Sequence, residues 1–402
     1  MHDAGSEARG GGAANQCELP LEGGLGASSS SLQSSRLVVQ YARSMRRKML
    51  FGGVLLCLTA AVAAVSLQTG AYPIGLGELL QAVVFDGDEA TSHVLWRIRM
   101  PQVAAAPLAG ACLGLSGAAM QNVLRNPLAS PFTLGVSQGA VFGATFAIIV
   151  LGTGTAVVGQ VAGGQAASGE AAGWLAAGWL AATSSYVLVA CAFAGSLATV
   201  GAIVLLSSLR NLSPAALILA GVALSAFFGS ATMLLQYFAS DSQIASAVFW
   251  TFGDLRKAQW SDLALIALVL LPIAAFLVWR AWDFNAMTWG DDTARSLGVR
   301  VSSLRLTALV LAALAASVTT AFVGVIGFVG LIAPHMMRMA IGEDHRFLFP
   351  YAALAGGLLL LVADLLARTV MAPVVLPVGI LTSFAGGPVF LYLLLKHGNV
   401  RS

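Results

Sequence analysis

Lysine is almost missing from this 402-residue sequence: it occurs only at 48, 257 and 396, and none of the three completes a glycine loop of the form GxxxxGK[ST]. Without that loop there is no backbone cradle for nucleotide phosphates, so the chain is not expected to hydrolyse ATP itself. Charge of either sign is scarce, at 10% of residues, while 58% are hydrophobic. A water-facing globule of ordinary composition cannot hide that much apolar surface, which leaves lipid as the main solvent. Cysteine is sparse too. Cys17, Cys57, Cys112 and Cys191 are far apart with no CxxC or zinc spacing, so no metal and no cofactor is expected. Of the 18 acidic residues, only Asp364 lies well inside an apolar run, and Arg368 stands four residues later on the same helix face. A proton-coupled transporter usually carries more buried carboxylates, which weighs against secondary transport without excluding it. No nucleophile and base pair stands out, so a membrane-embedded enzyme is the weakest of the readings.

Long apolar runs are what the sequence has in abundance. They cover about 49–68, 103–124, 131–152, 182–207, 214–239, 261–281, 304–322, 325–341, 351–370 and 376–396. Each approaches the roughly 20 residues that a helix needs to cross a bilayer core. A barrel would alternate apolar and polar residues over about ten positions, and Leu304 to Thr320 does not. The fold class expected is therefore all-α, a polytopic membrane protein with about ten transmembrane helices. The stretch from Leu306 to Ile341 would be roughly 54 Å long as one straight helix, so it must fold back, and Gly324, Gly327 and Gly330 mark the turn.

Cation placement sets the expected topology. With the N-terminus inside, 16 of the 21 Lys and Arg fall on the cytoplasmic side, including Arg43, Arg46, Arg47 and Lys48 ahead of the first span. Only Arg97, Arg99, Arg256, Lys257 and Arg368 fall outside, which predicts both termini in the cytoplasm of a multi-pass inner-membrane protein. Residues 1–44 read as a disordered cytoplasmic tail, since their first 36 are Gly, Ala and Ser rich without apolar period. Residues 45–397 form the transmembrane domain, with 153–178 a flexible external insertion and 282–303 a cytoplasmic loop. In that loop, Asp291, Asp292 and Thr293 precede Ala294, Arg295, Ser296, Leu297 and Gly298, the pattern of a short helix capped at both ends. A solvated connector explains the same residues equally well.

Small residues are dense. Gly110 and Gly114, and then Gly135, Gly139 and Gly143, stand in GxxxG spacing, for which close helix packing is the leading explanation. In the fifth span Gly221, Ser225, Gly229, Thr232 and Gln236 form one small, weakly polar face, which serves either as the wall of a translocation path or as a packing face.

The run RMPQVAAAPLAGACLGLSGAAMQNVLRNPLASPFTLGVSQGA, from Arg99 to Ala140, resembles the signature of the FecCD family of binding-protein-dependent permeases for iron siderophores, haem and cobalamin. Further stretches are similar to that family: ARSLGV at 294–299, GFVGLIAPHMMR at 327–338, DHR at 344–346, ADLLAR at 363–368 and LPVGILTSFAGGPVFLYLLLK at 376–396. The resemblance covers about 45–397. It implies a permease subunit that moves an intact iron chelate by alternating access, with ferric siderophore the first choice of cargo and haem or cobalamin the alternatives. An ion-coupled secondary transporter is the rival outside the family. The partners implied are two ATP-binding subunits, a periplasmic or lipid-anchored binding protein, and a second permease subunit, with a homodimer as the first choice. Membrane lipid surrounds the assembly, and no nucleic acid is expected.

Site roles follow from the same resemblance. Arg99 and Arg368 occupy the places of external arginines that receive acidic residues of the binding protein. The family pattern RxPR reads Arg99, Met100, Pro101, Gln102 here, so its second arginine is missing, and Arg97 is the candidate to compensate. Asp292, Ala294, Arg295, Ser296, Leu297 and Gly298 fall where the family docks its ATPase. His335 reads as a packed polar residue rather than an iron ligand.

Overall fold

The computed structural model describes residues 26–70, 75, 77–78, 81, 88–153, 171–210 and 213–398. Among these residues every regular element is helical. The chain divides into two units, 1–51 and 52–402, and α1 (Gly26–Gln68) contributes to both. Of the expected tail, residues 1–25 lie outside the described residues, and 26–44 are helical in α1. Once the apolar span has nucleated a helix, each further residue adds one hydrogen bond without a new nucleation cost, so the Ser-rich run is carried along. The expected insertion 153–178 lies outside the described residues from 154 to 170, while 171–178 begin a long helix.

The second unit continues with α2 (Glu89–Val94), a π-helical turn (Leu95–Arg99) and α3 (Met100–Val123), followed by a 3-10 turn (Pro131–Leu134) and α4 (Val136–Ile149). Next come α5 (Ala171–Arg210), α6 (Pro214–Tyr237), α7 (Asp241–Thr251), a 3-10 turn (Leu255–Lys257) and α8 (Trp260–Trp279). Two short helices, α9 (Ala281–Thr288) and α10 (Asp291–Ser296), lead to α11 (Val301–Val323), α12 (Val329–Ile341), α13 (His345–Thr369) and α14 (Val378–Gly398). Among the described residues seven segments are long and apolar enough to cross a membrane, and three shorter apolar helices, Val136–Ile149, Val329–Ile341 and Val378–Tyr392, occupy the remaining expected spans. A helix of 13 residues, such as α12, rises only about 20 Å, against a bilayer core of roughly 30 Å. Non-helical backbone must complete such a crossing, and it is tolerated where protein surrounds it.

The break between α11 and α12 shows how. Gly324 and Phe328 both adopt positive φ, at 81° and 66°. The Asp254 N–H donates to the Val323 carbonyl at 2.8 Å, and Gly379 donates to Gly253 at 3.2 Å. Gly330, expected in this turn, instead lies within α12, where its carbonyl meets Gly117 of α3 so closely that a Cβ at Gly117 would land on it.

The helix α3 is buried along most of its length and centres the core. Its small residues make that burial feasible. Gly110 and Gly114 let α3 touch the backbone of α13 at Gly356 and Ala352, while Gly139 and Gly143 do the same for α4 against α5 at Gly195 and Cys191. The Ser116 hydroxyl donates to the Ala312 carbonyl of α11. Tryptophans stand at both ends of α8: at one, Trp260 donates to the Trp96 carbonyl at 2.9 Å; at the other, Trp279, Trp282 and Trp289 are exposed. The 20 residues of α8 span about 30 Å, so these rings sit where the two membrane interfaces are expected.

Candidate coupling surface and arginine clamp

At the Trp279 end, α9 and α10 form a platform. Gly290, at φ 119°, separates the two helices. Asp291 and Asp292 open α10 and Arg295 closes it, the charge order that suits a helix dipole. The C-terminus is a Schellman motif: Gly298 N–H reaches the Arg295 carbonyl at 2.9 Å, and Val299 N–H reaches Ala294 at 2.9 Å. Gly298 supplies the positive φ, 83°, that this closure requires.

The residues expected for ATPase coupling separate into two roles here. Ala294 is buried and holds α10 down. Asp292, Arg295, Ser296, Leu297 and Gly298 are all exposed, with Leu297 at 67%. Asp292 and Arg295 pair loosely across the surface at 3.3 Å. Asp291, outside the expected set, anchors the platform. It accepts from Arg125 at 2.5 Å and from Arg305 at 3.0 Å, which ties α10 to the end of α3 and to α11.

Sequence reasoning missed a second anchor. The Asn285 amide of α9 donates to the Asp344 carboxylate at 3.0 Å. Its oxygen accepts from the His345 backbone N–H at 2.8 Å and faces His345 Nδ1 at 2.8 Å. Because the carboxylate fixes which end of the amide carries hydrogen, the His345 proton is assigned to Nδ1. The His345 ring packs against both Phe284 of α9 and Phe349 of α13, which also meet each other edge to face. Asp344 also caps α13 and grips the Arg346 guanidinium at 2.7 Å, which lies 4.2 Å over the Trp282 ring. Burial alone would favour the neutral acid, yet hydrogen bonds from the Arg346 side chain, the Asn285 amide and the Arg346 backbone hold the Asp344 pKa down at about 2. The DHR run at 344–346 was the only sequence signal pointing here.

At the opposite end of the bundle the three expected docking arginines part company. Arg97 is exposed on the π-helical turn. Arg99 is only 5% exposed and donates to the carbonyls of Leu67 and Gln68 at 2.7 and 3.2 Å. Arg368 is largely enclosed, its side chain 8% exposed, and donates to the carbonyls of Ser66 and Thr69, at 3.2 and 3.0 Å, and to the Ser66 hydroxyl. Both guanidinium groups therefore clamp the C-terminal carbonyls of α1, which no intrahelical donor can reach. This burial departs from the expectation that both face a partner; only Arg97 presents its side chain to the surface. Behind the clamp, Asp364 pairs with Arg368 at 3.1 Å and accepts from Gln102 at 2.8 Å. Gln102 stands at the missing second arginine of the RxPR pattern and meets the carboxylate itself.

On α6 the small face turns inward. Gly221 abuts the backbone of Thr133 and Leu134, and Ser225 and Thr232 return their hydroxyls to the carbonyls of Gly221 and Phe228, each at 2.8 Å. Gly229 lies near Gln138 of α4 at the limit of van der Waals reach, and Gln236 is half-buried. Gly221 and Ser225 thus pack against the start of α4 and the turn before it, and Thr232 is buried farther along α6, while Val222, Phe227, Met233 and Leu234 are exposed.

Comparison with known proteins agrees with this architecture. The FecCD transport family model matches residues 56–396. An ABC transporter permease protein of Methanocaldococcus jannaschii is 45% identical over 89% of this chain and 97% of its own length. The hemin transport system permease of Yersinia pestis is 38% identical over 87% of this chain and 96% of its own, and a vitamin B12 import system permease of Salmonella paratyphi A is 35% identical over 76% and 84%. A solved transporter described as of the metal-chelate ABC type, in an inward-facing conformation, superposes with a TM-score of 0.71 at 30% identity, covering 87% of this chain and 99% of that one. The chain is an inner-membrane permease of the ABC-importer kind and belongs to the FecCD transport family.

Proposed function

We propose that this permease carries an iron chelate, with ferric siderophore the first choice and haem or cobalamin the alternatives, and that ATP-binding subunits dock on the α9–α10 platform from the cytoplasm. The observation that carries the reading is Leu297. A leucine that is two-thirds exposed, capping the end of a helix bolted down through Asp291, has the form of a knob for a partner's cleft. In the working complex two permease copies share two ATP-binding subunits, a binding protein delivers cargo to the end that carries Arg97, and hydrolysis shifts the pair between outward-open and inward-open states. Secondary transport fares worse, because the buried carboxylate, Asp364, is already held by Arg368 and Gln102 and so is ill suited to carry a proton.

Reconstitution tests this directly. Proteoliposomes containing the chain, its ATP-binding subunits and its binding protein should take up one of ferrichrome, hemin or cyanocobalamin only with ATP inside, and Leu297→Asp should abolish both uptake and co-purification of the ATPase. Liposomes of this chain alone that accumulate any of the three under a proton or sodium gradient would overturn the proposal.

A further inference from the structure

Three neighbouring residues of α9, Trp282, Phe284 and Asn285, all engage the first turn of α13. Trp282 lies under Arg346, Phe284 stacks on His345, and Asn285 satisfies Asp344 and His345 together. Of these, only Asn285 makes directional contacts to two consecutive residues at the N-terminus of α13. A rotation of α9 about its own axis would break all of its hydrogen bonds at once, whereas the ring contacts tolerate sliding. The same α13 carries Asp364 and Arg368 near its other end, where Arg368 holds the end of α1 and pairs with Asp364.

We propose that Asn285 is the positioning residue that locks the α9–α10 platform in register with α13, so that displacement of the platform moves α13 as a rigid strut. The inference rests on the reading of α9–α10 as the ATPase-facing surface. Asn285 touches neither nucleotide nor cargo; it acts through α13. Trp282 and Phe284 supply the apolar seat, and the amide supplies the register.

The test uses the full chain assembled with its ATP-binding subunits in lipid nanodiscs. Nitroxide labels are placed at Thr288→Cys, an exposed position of α9 outside the docking set, and Glu343→Cys, with the other cysteines changed to serine. Wild type should give one narrow distance that stays unchanged when ATP and vanadate are added, because the platform and α13 move together. Asn285→Ala and Asn285→Asp should leave ATPase co-purification unchanged, yet raise the population outside that narrow distance about tenfold, as expected when hydrogen bonds to a charged partner are lost. Asn285→Asp sets two carboxylates against each other. The swap Asn285→Asp with Asp344→Asn restores an amide-to-carboxylate bond with its direction reversed, and should recover the narrow distribution. General unfolding would lower the yield of all three variants, and the swap would not cure it. Single variants with wild-type distances, or a swap as broad as Asn285→Asp alone, would overturn the proposal. Failure of the underlying reading shows separately, as ATP-binding subunits that remain bound to Leu297→Asp.

Discussion

Replacing Arg368 by Met removes a buried cation while keeping much of the side-chain volume. Two groups lose their partner. Asp364, with its side chain 2% exposed, keeps only Gln102, and the carbonyls of Ser66 and Thr69 at the end of α1 lose a donor. Breaking a buried pair from one side costs about 3–5 kcal/mol. Asp364 lies little more than one turn from the end of α13, so the lower part of that range, about 3 kcal/mol, is the destabilisation expected. Asp364→Asn with Arg368→Met should recover the carboxylate part and leave about 1–2 kcal/mol for the α1 carbonyls. Arg368→Lys should fall between, since one ammonium cannot span the Ser66, Thr69 and Asp364 acceptors as a guanidinium fork does. Equilibrium unfolding by SDS in mixed micelles measures each corner of the double-mutant cycle. If Arg368→Met stays within about 1 kcal/mol of wild type and loses affinity for the binding protein instead, Arg368 is a docking residue and the clamp reasoning fails.

Glycine positions separate by what surrounds them. Gly117→Val should prevent folding, because its Cβ would meet the Gly330 carbonyl, whereas Gly201→Ala points into open space on α5 and should stabilise by about 0.5–1 kcal/mol, both read from yield and thermal stability. Gly298→Val meets no neighbour either, so only its positive φ matters; the chain should fold at a local cost of about 1–2 kcal/mol while ATPase co-purification falls. For Asp344 the folded pKa of about 2 lies below the ordinary aspartate value of 3.8, so its contribution is fully present above 3.8 and is lost as pH falls through 2. The difference in melting temperature between wild type and Asp344→Asn should therefore stay flat from about pH 8 to about pH 4 and close below that.

The apolar runs were legible because membrane-spanning length is written directly into composition, and all ten expected positions correspond to helices. Gly298 was legible as well, since a helix closing in a left-handed residue advertises itself through glycine after a short amphipathic run. Gly330 was not, because a glycine beside a turn and a glycine beside a neighbouring backbone look alike in one dimension. The acceptors of the arginines were illegible for a related reason. Arg99 and Arg368 find their acceptors 32 and 302 residues away, and nothing in local periodicity says whether a cation near an interface points outward or back onto a helix end. Asn285 was invisible for the same cause: its partners lie about 60 residues on, and a polar residue in a loop assigned to the cytoplasm gives no hint that it is shared.

The clamp on α1 also bears on how the chain is made. The helix α1 emerges early, but the guanidinium that closes its last turn belongs to Arg368, 302 residues later. At 5–20 residues per second, ribosomes need roughly 15–60 seconds to cover that interval. Throughout it the carbonyls of Ser66 and Thr69 must be satisfied by water or lipid headgroups at the bilayer surface. The first helix to enter the membrane is thus among the last to be finished, and its end stays wet until α13 arrives.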